Sequence, residues 1–246
     1  MSGPIWWVLA GTALGAILGS FIATLVIRWP QGRGTGGRSA CDGCAVRLRW
    51  FELVPLASFL LQRGKCRHCG ARIAPDHFWI EAVCVVVGGV ALAVAPGWEG
   101  MAGACFGWIL VALAALDLRH FWLPDRLTLA LAATGVAGGA IGFDPPLSDR
   151  LVGGLAGFAT LSIIAWSYKR LRGQQGMGAG DPKLLGAIGL WLGWQVMPFV
   201  LLGASILGIN LVVYQLLRKR IVTSQTRLPL GALMAVAAFP IWVFSR

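Results

Sequence analysis

The sequence predicts an all-α polytopic membrane protein, with about eight transmembrane helices and one small cytoplasmic domain between the first two. Three observations predict it. The 246 residues are 57% hydrophobic and only 13% charged, where a soluble chain would be about a quarter charged. The apolar residues fall in runs close to the roughly 17–25 residues that cross a bilayer as a helix. Of the 21 Lys and Arg, 19 fall in four of the loops between those runs.

The runs are read as spans at 4–27, 77–95, 101–118, 127–143, 151–168, 184–198, 199–217 and 229–245. The first has no basic residue before it, and Arg28 and Arg33 follow it, so it reads as an N-out anchor and not a secretory signal. Gly153-Gly154-Leu-Ala-Gly157 in the fifth favours close contact with a neighbouring helix. Loops 28–76, 119–126, 169–183 and 218–228 carry the positive charge and are therefore assigned to the cytoplasm. This distribution explains the net charge of +11 without nucleic acid as a partner. Membrane lipid is the partner it implies. The chain divides into a first helix at 1–27, a cytoplasmic domain at 28–76 and a seven-helix core at 77–246.

About fifty residues between the first two spans build little core unaided, and such a segment needs a staple. Cys41-Asp-Gly-Cys44 and Cys66-Arg-His-Cys69 are two C-x2-C knuckles at a spacing that suits a tetrahedral structural Zn²⁺. The domain is thus expected to be zinc-stapled. Gly43 and Gly70 are expected to turn the chain around the metal, and Arg38, Arg47, Lys65, Arg67 and Arg72 to favour thiolate. Disulfides are the competing reading, disfavoured in the cytosol. His68 is an alternative ligand, read first as a surface group; Cys84 and Cys105 read as packing residues inside helices.

The chemistry is expected elsewhere. In Gly176-Met-Gly-Ala-Gly-Asp-Pro-Lys-Leu-Leu185, one carboxylate, Asp181, stands between a basic loop and an apolar run. An ionisable group beside hydrocarbon is a functional-site candidate by default. Gly178 and Gly180 let the loop bend, Pro182 suits the first turn of a helix, and Lys183 supports the loop or pairs with a carboxylate. Among the ten acidic residues, three others fit the same border: Glu81, Asp117 and Asp125. Asp125 has a local role beside Pro124 and Arg126, as a helix-start residue. Asp117 closes the apolar run Trp108–Leu116 and has no such role, so Asp117 and Asp181 are read as a pair. Two facing carboxylates share a proton and activate water. Asp125 and Glu81 remain candidates for substrate contact, and His120 for tuning the pair. A proton- or cation-coupled transporter also uses paired carboxylates and broken helices. Location at one border, not the midplane, and the cysteine module weigh against it.

These residues together resemble the bacterial type IV prepilin leader peptidases, membrane aspartic peptidases of the Gly-x-Gly-Asp class. Gly178-Ala-Gly180-Asp181 with Pro182-Lys-Leu-Leu185 is similar to one family active-site motif, and Asp117 with Leu123-Pro-Asp125-Arg-Leu-Thr128 to the other. Gly19-Ser-Phe-Ile22, Arg28-Trp-Pro30, Glu52-Leu-Val-Pro55, Arg63-Gly-Lys-Cys66 and Trp79-Ile-Glu81 resemble the family's N-terminal part. One departure stands at Ala23, where the family usually has Asn. The resemblance implies a bacterial inner-membrane enzyme with Asp117 and Asp181 as the catalytic pair and zinc on Cys41, Cys44, Cys66 and Cys69. It implies cleavage of the basic leader of prepilins and pseudopilins, of type IV pilus or type II secretion systems, after Gly at the cytoplasmic face. It also implies N-methylation of the new terminus with S-adenosylmethionine.

Overall fold

In this computed structural model, residues 3–37, 39–41, 43–218 and 227–246 are described. Arg38, Asp42, Lys219 and Arg220 lie outside the described residues. The described residues form α1 (Gly3–Arg28), α2 (Ala57–Leu61), α3 (Pro75–Val94), α4 (Trp98–His120), α5 (Asp125–Ala140), α6 (Leu147–Arg172), α7 (Gly180–Leu192), α8 (Met197–Leu217) and α9 (Leu230–Phe244). Apart from two isolated bridges there is no β-structure among them. All eight apolar runs are helical, in the expected order. The expectation of eight spans is not reproduced in length: among the described residues, five helices are long and apolar enough to cross a membrane. The remaining three, α5, α7 and α9, have 16, 13 and 15 residues. At 1.5 Å per residue they reach about 20–24 Å, short of a hydrocarbon core of about 30 Å. The apolar run is longer than the helix because Gly193, at φ +76°, ends α7 inside it.

The chain forms two compact units, Met1–Ala112 and Leu113–Arg246. In the first, α1 packs along α3 through Gly11, Gly15 and Gly19, which recur every four residues. A Cβ at Gly11 would collide with the Gly88 carbonyl, one at Gly15 with the Cys84 carbonyl, and one at Gly19 would lie 2.8 Å from Glu81 Cα. Only hydrogen at these positions lets the backbones touch. Trp108 of α4 donates its Nε1–H to the Cys84 carbonyl at 2.9 Å.

In the second unit α7 is the buried centre, packed against α6 on one side and α5 on the other. The small-residue stretch of α6 makes the close contact expected of it: a Cβ at Gly153 would lie 2.7 Å from the Gly189 oxygen, and one at Gly157 2.8 Å from the Leu185 oxygen. On the other face, a Cβ at Gly135 of α5 would lie 2.7 Å from the Leu190 oxygen.

Arg150, left over from the basic loops in the sequence reading, is fully buried. Its guanidinium donates to five carbonyls, those of Gly135, Phe143, Asp144, Pro145 and Leu190, at 2.7–3.3 Å. It also lies over the Trp191 ring, 5.8 Å from the centroid. The group thus ties the C-terminal halves of α5 and α7 to the loop between α5 and α6, where helix dipoles favour a cation. Arg150→Met keeps the stem and strips five buried acceptors of a charged donor. Thermal unfolding in detergent is expected to show a loss of about 3 kcal/mol or more; an unchanged midpoint would contradict this role.

Candidate functional site

Asp117 and Asp181 are among the few buried charged residues, 5% and 7% exposed. Asp117 stands one turn before the end of α4, where Phe121 takes φ +49° and donates its N–H to the Asp117 carbonyl. Asp181 stands in the first turn of α7. It is locked to its own loop: its N–H donates to the Gly178 carbonyl at 3.2 Å, and its Oδ2 accepts the Gly178 N–H at 3.1 Å. That reciprocal closure explains Gly178, where a Cβ would press on the carboxylate at 3.1 Å. Gly180 has a different cause: a Cβ there would lie 2.8 Å from Leu123 Cβ.

A third segment completes the arrangement, and it was absent from the sequence reading. The start of α9 brings its free backbone N–H groups to both carboxylates. Ala232 N–H donates to Asp117 Oδ2 at 2.7 Å, and the Gly231 amide favours the ionised form of Asp181. The charge of Asp117 acts on Asp181, so the pair is brought together, beside a helix N-terminus whose first amides lack intrahelical partners. Pro229 before α9 and Gly231, where a Cβ would lie 2.7 Å from Leu123 Cδ1, were the only sequence signals.

Asp181 lies outside the five helices that are long and apolar enough to cross a membrane, and its carboxyl is pushed up to about 6. Burial is the larger cause and the neighbouring charge of Asp117 the second; the Gly178 and Gly231 amides oppose both. Chemically, this is a site of two neighbouring buried carboxyls in which Asp181 keeps its proton to a higher pH than a free aspartate does.

The other candidate residues have defined places. Asp125, in the first turn of α5, pairs with Lys183 at 2.6 Å, and not with Arg126 as expected. Lys183 therefore serves Asp125 and leaves Asp117 to the amides. The ion pair is half to three-quarters exposed and contributes at most about 1 kcal/mol. Its effect is to join the N-termini of α5 and α7. Glu81 belongs to the first unit, where its Oε2 accepts the Leu56 N–H at 2.8 Å and holds Leu56 at φ +59°. It is committed to the fold of residues 28–76. His120 is exposed at the end of α4.

Cys41, Cys44, Cys66 and Cys69 form the second site. All four are free thiols, and their Sγ atoms lie within 4.8 Å of one another. The Cys41–Cys69 separation of 3.8 Å is the sulfur–sulfur edge of a tetrahedron with metal–sulfur bonds of about 2.3 Å. The donor set therefore fits a metal. Each knuckle is closed by an antiparallel bridge, Ala40–Arg47 and Lys65–Arg72. Amides two residues on, of Gly43 and His68, point at Cys41 and Cys66 Sγ at 3.4 Å. The Cys44 and Gly43 amides pull the Cys41 thiol down to about 7. Gly70 turns the chain as expected, at φ +69°. Gly43 does not: the left-handed residue of the first knuckle is Ala45, and a Cβ on Gly43 would lie 3.0 Å from Ala71 Cβ. The glycine lets one knuckle approach the other.

Comparison with known proteins falls on both sites. Residues 104–213, which contain Asp117 and Asp181, match the model of the type IV leader peptidase family. Residues 13–95, which contain the four cysteines, match that of the bacterial peptidase A24 N-terminal domain. The chain is 38% identical over 203 residues to the prepilin leader peptidase/N-methyltransferase of Aeromonas hydrophila, covering 82% of this chain and 70% of that one. The protein of the same name from Aeromonas salmonicida (strain A449) is 41% identical over 172 residues, 70% of this chain and 59% of the relative. That from Stutzerimonas stutzeri is 33% identical over 263 residues, 97% and 91%. No solved structure matches. These similarities give the transporter reading no support.

Two outcomes are expected. The infrared carboxyl band lost in Asp181→Asn should persist in the wild type up to a pH of about 6 and vanish at lower pH in Asp117→Asn. Because the folded value lies above that of an unfolded aspartate, the contribution of Asp181 to stability declines as pH rises from about 4 to about 6. A band already gone at pH 4 would contradict the site described. Separately, Cys41→Ser combined with Cys66→Ser should lower the metal content of the purified chain by elemental analysis; an unchanged content would remove the metal assignment.

Proposed function

The chain belongs to the type IV leader peptidase family, and from this we propose that it is a membrane-embedded aspartic endopeptidase. It removes the basic leader of prepilins or pseudopilins after Gly, at the cytoplasmic face of the bacterial inner membrane. It then N-methylates the exposed terminus. The observation that carries the reading is the pair of buried carboxyls, Asp117 and Asp181, at the start of α9, where the Ala232 N–H holds Asp117.

In the mechanism, the ionised aspartate takes a proton from water, and the water oxygen attacks the scissile carbonyl carbon. The protonated aspartate hydrogen-bonds the carbonyl oxygen as it gains charge. The proton taken from water passes to the leaving nitrogen as the C–N bond breaks, and the pair returns to its one-proton state. The Ala232 amide holds the Asp117 carboxylate in place and favours its ionised form. A prepilin supports this placement: its leader is basic and its next segment an apolar helix, so the bond cut lies at the bilayer border. The concentration of Lys and Arg in loops supports the cytoplasmic assignment of 28–76, 119–126 and 169–183. It also supports crossing by all eight apolar helices, of which α7 is buried against α5 and α6, and the division at residues 27 and 76.

Cys41, Cys44, Cys66 and Cys69 would hold Zn²⁺ in a closed four-sulfur shell, which supplies structure to residues 28–76. S-adenosylmethionine would be the methyl donor. The Gly-rich stretch 32–37 leads to the bridge at Ala40 and not into a helix, so it does not fit a nucleotide cradle, and no methyl-transfer step is assigned to it.

The test is cleavage of a prepilin-like peptide by the purified chain, read by mass spectrometry. Cleavage after Gly should fall at least about a thousandfold in Asp117→Asn and in Asp181→Asn, and an added methyl mass should require the donor. Full activity in Asp117→Asn, with loss in Asp125→Asn, would reassign the pair.

A further inference from the structure

The 28–76 segment keeps a cluster of large apolar side chains in the open. Trp50 is 80% exposed, Leu61 77% and Leu60 62%, with Leu53 and Val54 also exposed. They occupy twelve consecutive residues, on a 3₁₀ turn (Trp50–Leu53) and α2, which pack against each other. Single exposed apolar residues are ordinary; a cluster of this density marks an interaction surface. The intervening Phe59 turns the other way and lies 5.3 Å from Phe78 of α3. The outward side chains are therefore not the ones that build the fold.

The charge around the cluster has one sign. Arg47, Arg49, Arg63, Lys65 and Arg67 flank it, and Arg49 and Arg67 bracket the Phe51 ring at 5.9 and 5.5 Å. The only acidic residue between 43 and 75 is Glu52, which is buried with its carboxylate on the Arg49 N–H at 2.8 Å. A basic peptide leader is repelled by such a face, and an anionic surface is attracted.

The place of the cluster is fixed as well. Leu56, at its middle, donates its N–H to Glu81, which lies six residues into α3, about 9 Å along that helix. Since α1 and α3 are both long and apolar enough to cross a membrane, the cluster is held level with the border of the bilayer. We propose that the face formed by Trp50, Leu53, Leu60 and Leu61 seats on the anionic lipid surface around α1 and α3. Trp at the headgroup level, leucines below it and arginines on phosphates are the chemistry of an interfacial anchor. The proposal rests on the membrane reading of α1 and α3, and not on the catalytic pair.

The experiment is hydrogen–deuterium exchange of the full chain in nanodiscs of phosphatidylcholine alone and with phosphatidylglycerol. Amides of residues 49–62 should exchange roughly tenfold more slowly with the anionic lipid, the factor that burial of one leucine side chain suffices to give. Leu60→Ser with Leu61→Ser should abolish that slowing. Both leucines are exposed, so the variant should keep its metal content and the protection of α3. Equal exchange in both nanodiscs and in detergent would overturn the proposal while α1 and α3 stay protected. Protection that arises only on addition of a prepilin-like peptide would overturn it in favour of a substrate-docking face. Loss of protection along α1 and α3 themselves would instead refute the membrane reading beneath it.

Discussion

The start of α9 turns its amides toward two carboxylates that would otherwise repel each other in a poorly solvated place. An ionised carboxylate removed from water is costly unless donors replace the lost hydration. In the second unit the donors are backbone groups, supplied by the start of α9 and by the Gly178 loop. Backbone amides carry no counter-charge, so they hold the aspartates without quenching them as an Arg or Lys would. The cations nearby are engaged elsewhere: Lys183 on Asp125, and Arg150 on carbonyls at the other ends of α5 and α7.

This arrangement needs three chain ends at one point: the end of α4, the start of α7 and the start of α9. The glycine contacts supply the positioning. Backbone-to-backbone contact through Gly153, Gly157 and Gly189 sets α7 against α6, and Gly135 sets α5 against α7. Leu123 then fills the space left by the missing side chains of Gly180 and Gly231. Backbone contacts tolerate little adjustment, so the start of α7 is fixed along with its packed body. The aspartates inherit that rigidity, which a hydrolytic pair needs in order to aim water and acid at opposite ends of one carbonyl bond.

The sequence was legible wherever a residue is out of keeping with its surroundings. Ten acids in a chain this apolar make Asp117 and Asp181 conspicuous, and two C-x2-C knuckles are conspicuous at any time. The helices were legible as apolar runs, though their lengths were not. A run shows where the surroundings are apolar and not where Gly193 breaks the backbone, so α7 is shorter than its run. The start of α9 was illegible for a different reason. Its contribution is two amides, 115 residues from Asp117, and an amide leaves no mark in side-chain pattern. Arg150 fell outside the basic loops and was given no role, because its partners are carbonyls contributed by three segments. Asp125 was assigned to its sequence neighbour Arg126, whereas the chain brings it Lys183 from 58 residues away.

The central claim is that the α9 amides hold the two carboxylates in working geometry, and Gly231→Ala tests it most directly. The added Cβ would lie 3.0 Å from Asp117 Oδ2 and 2.7 Å from Leu123 Cδ1. Steady-state kinetics on a prepilin-like peptide should show kcat reduced by about a hundredfold, with KM and the thermal midpoint close to wild type. A kcat equal to that of the wild type would contradict the account, since Asp117 and Asp181 would then work with the start of α9 pushed away from them.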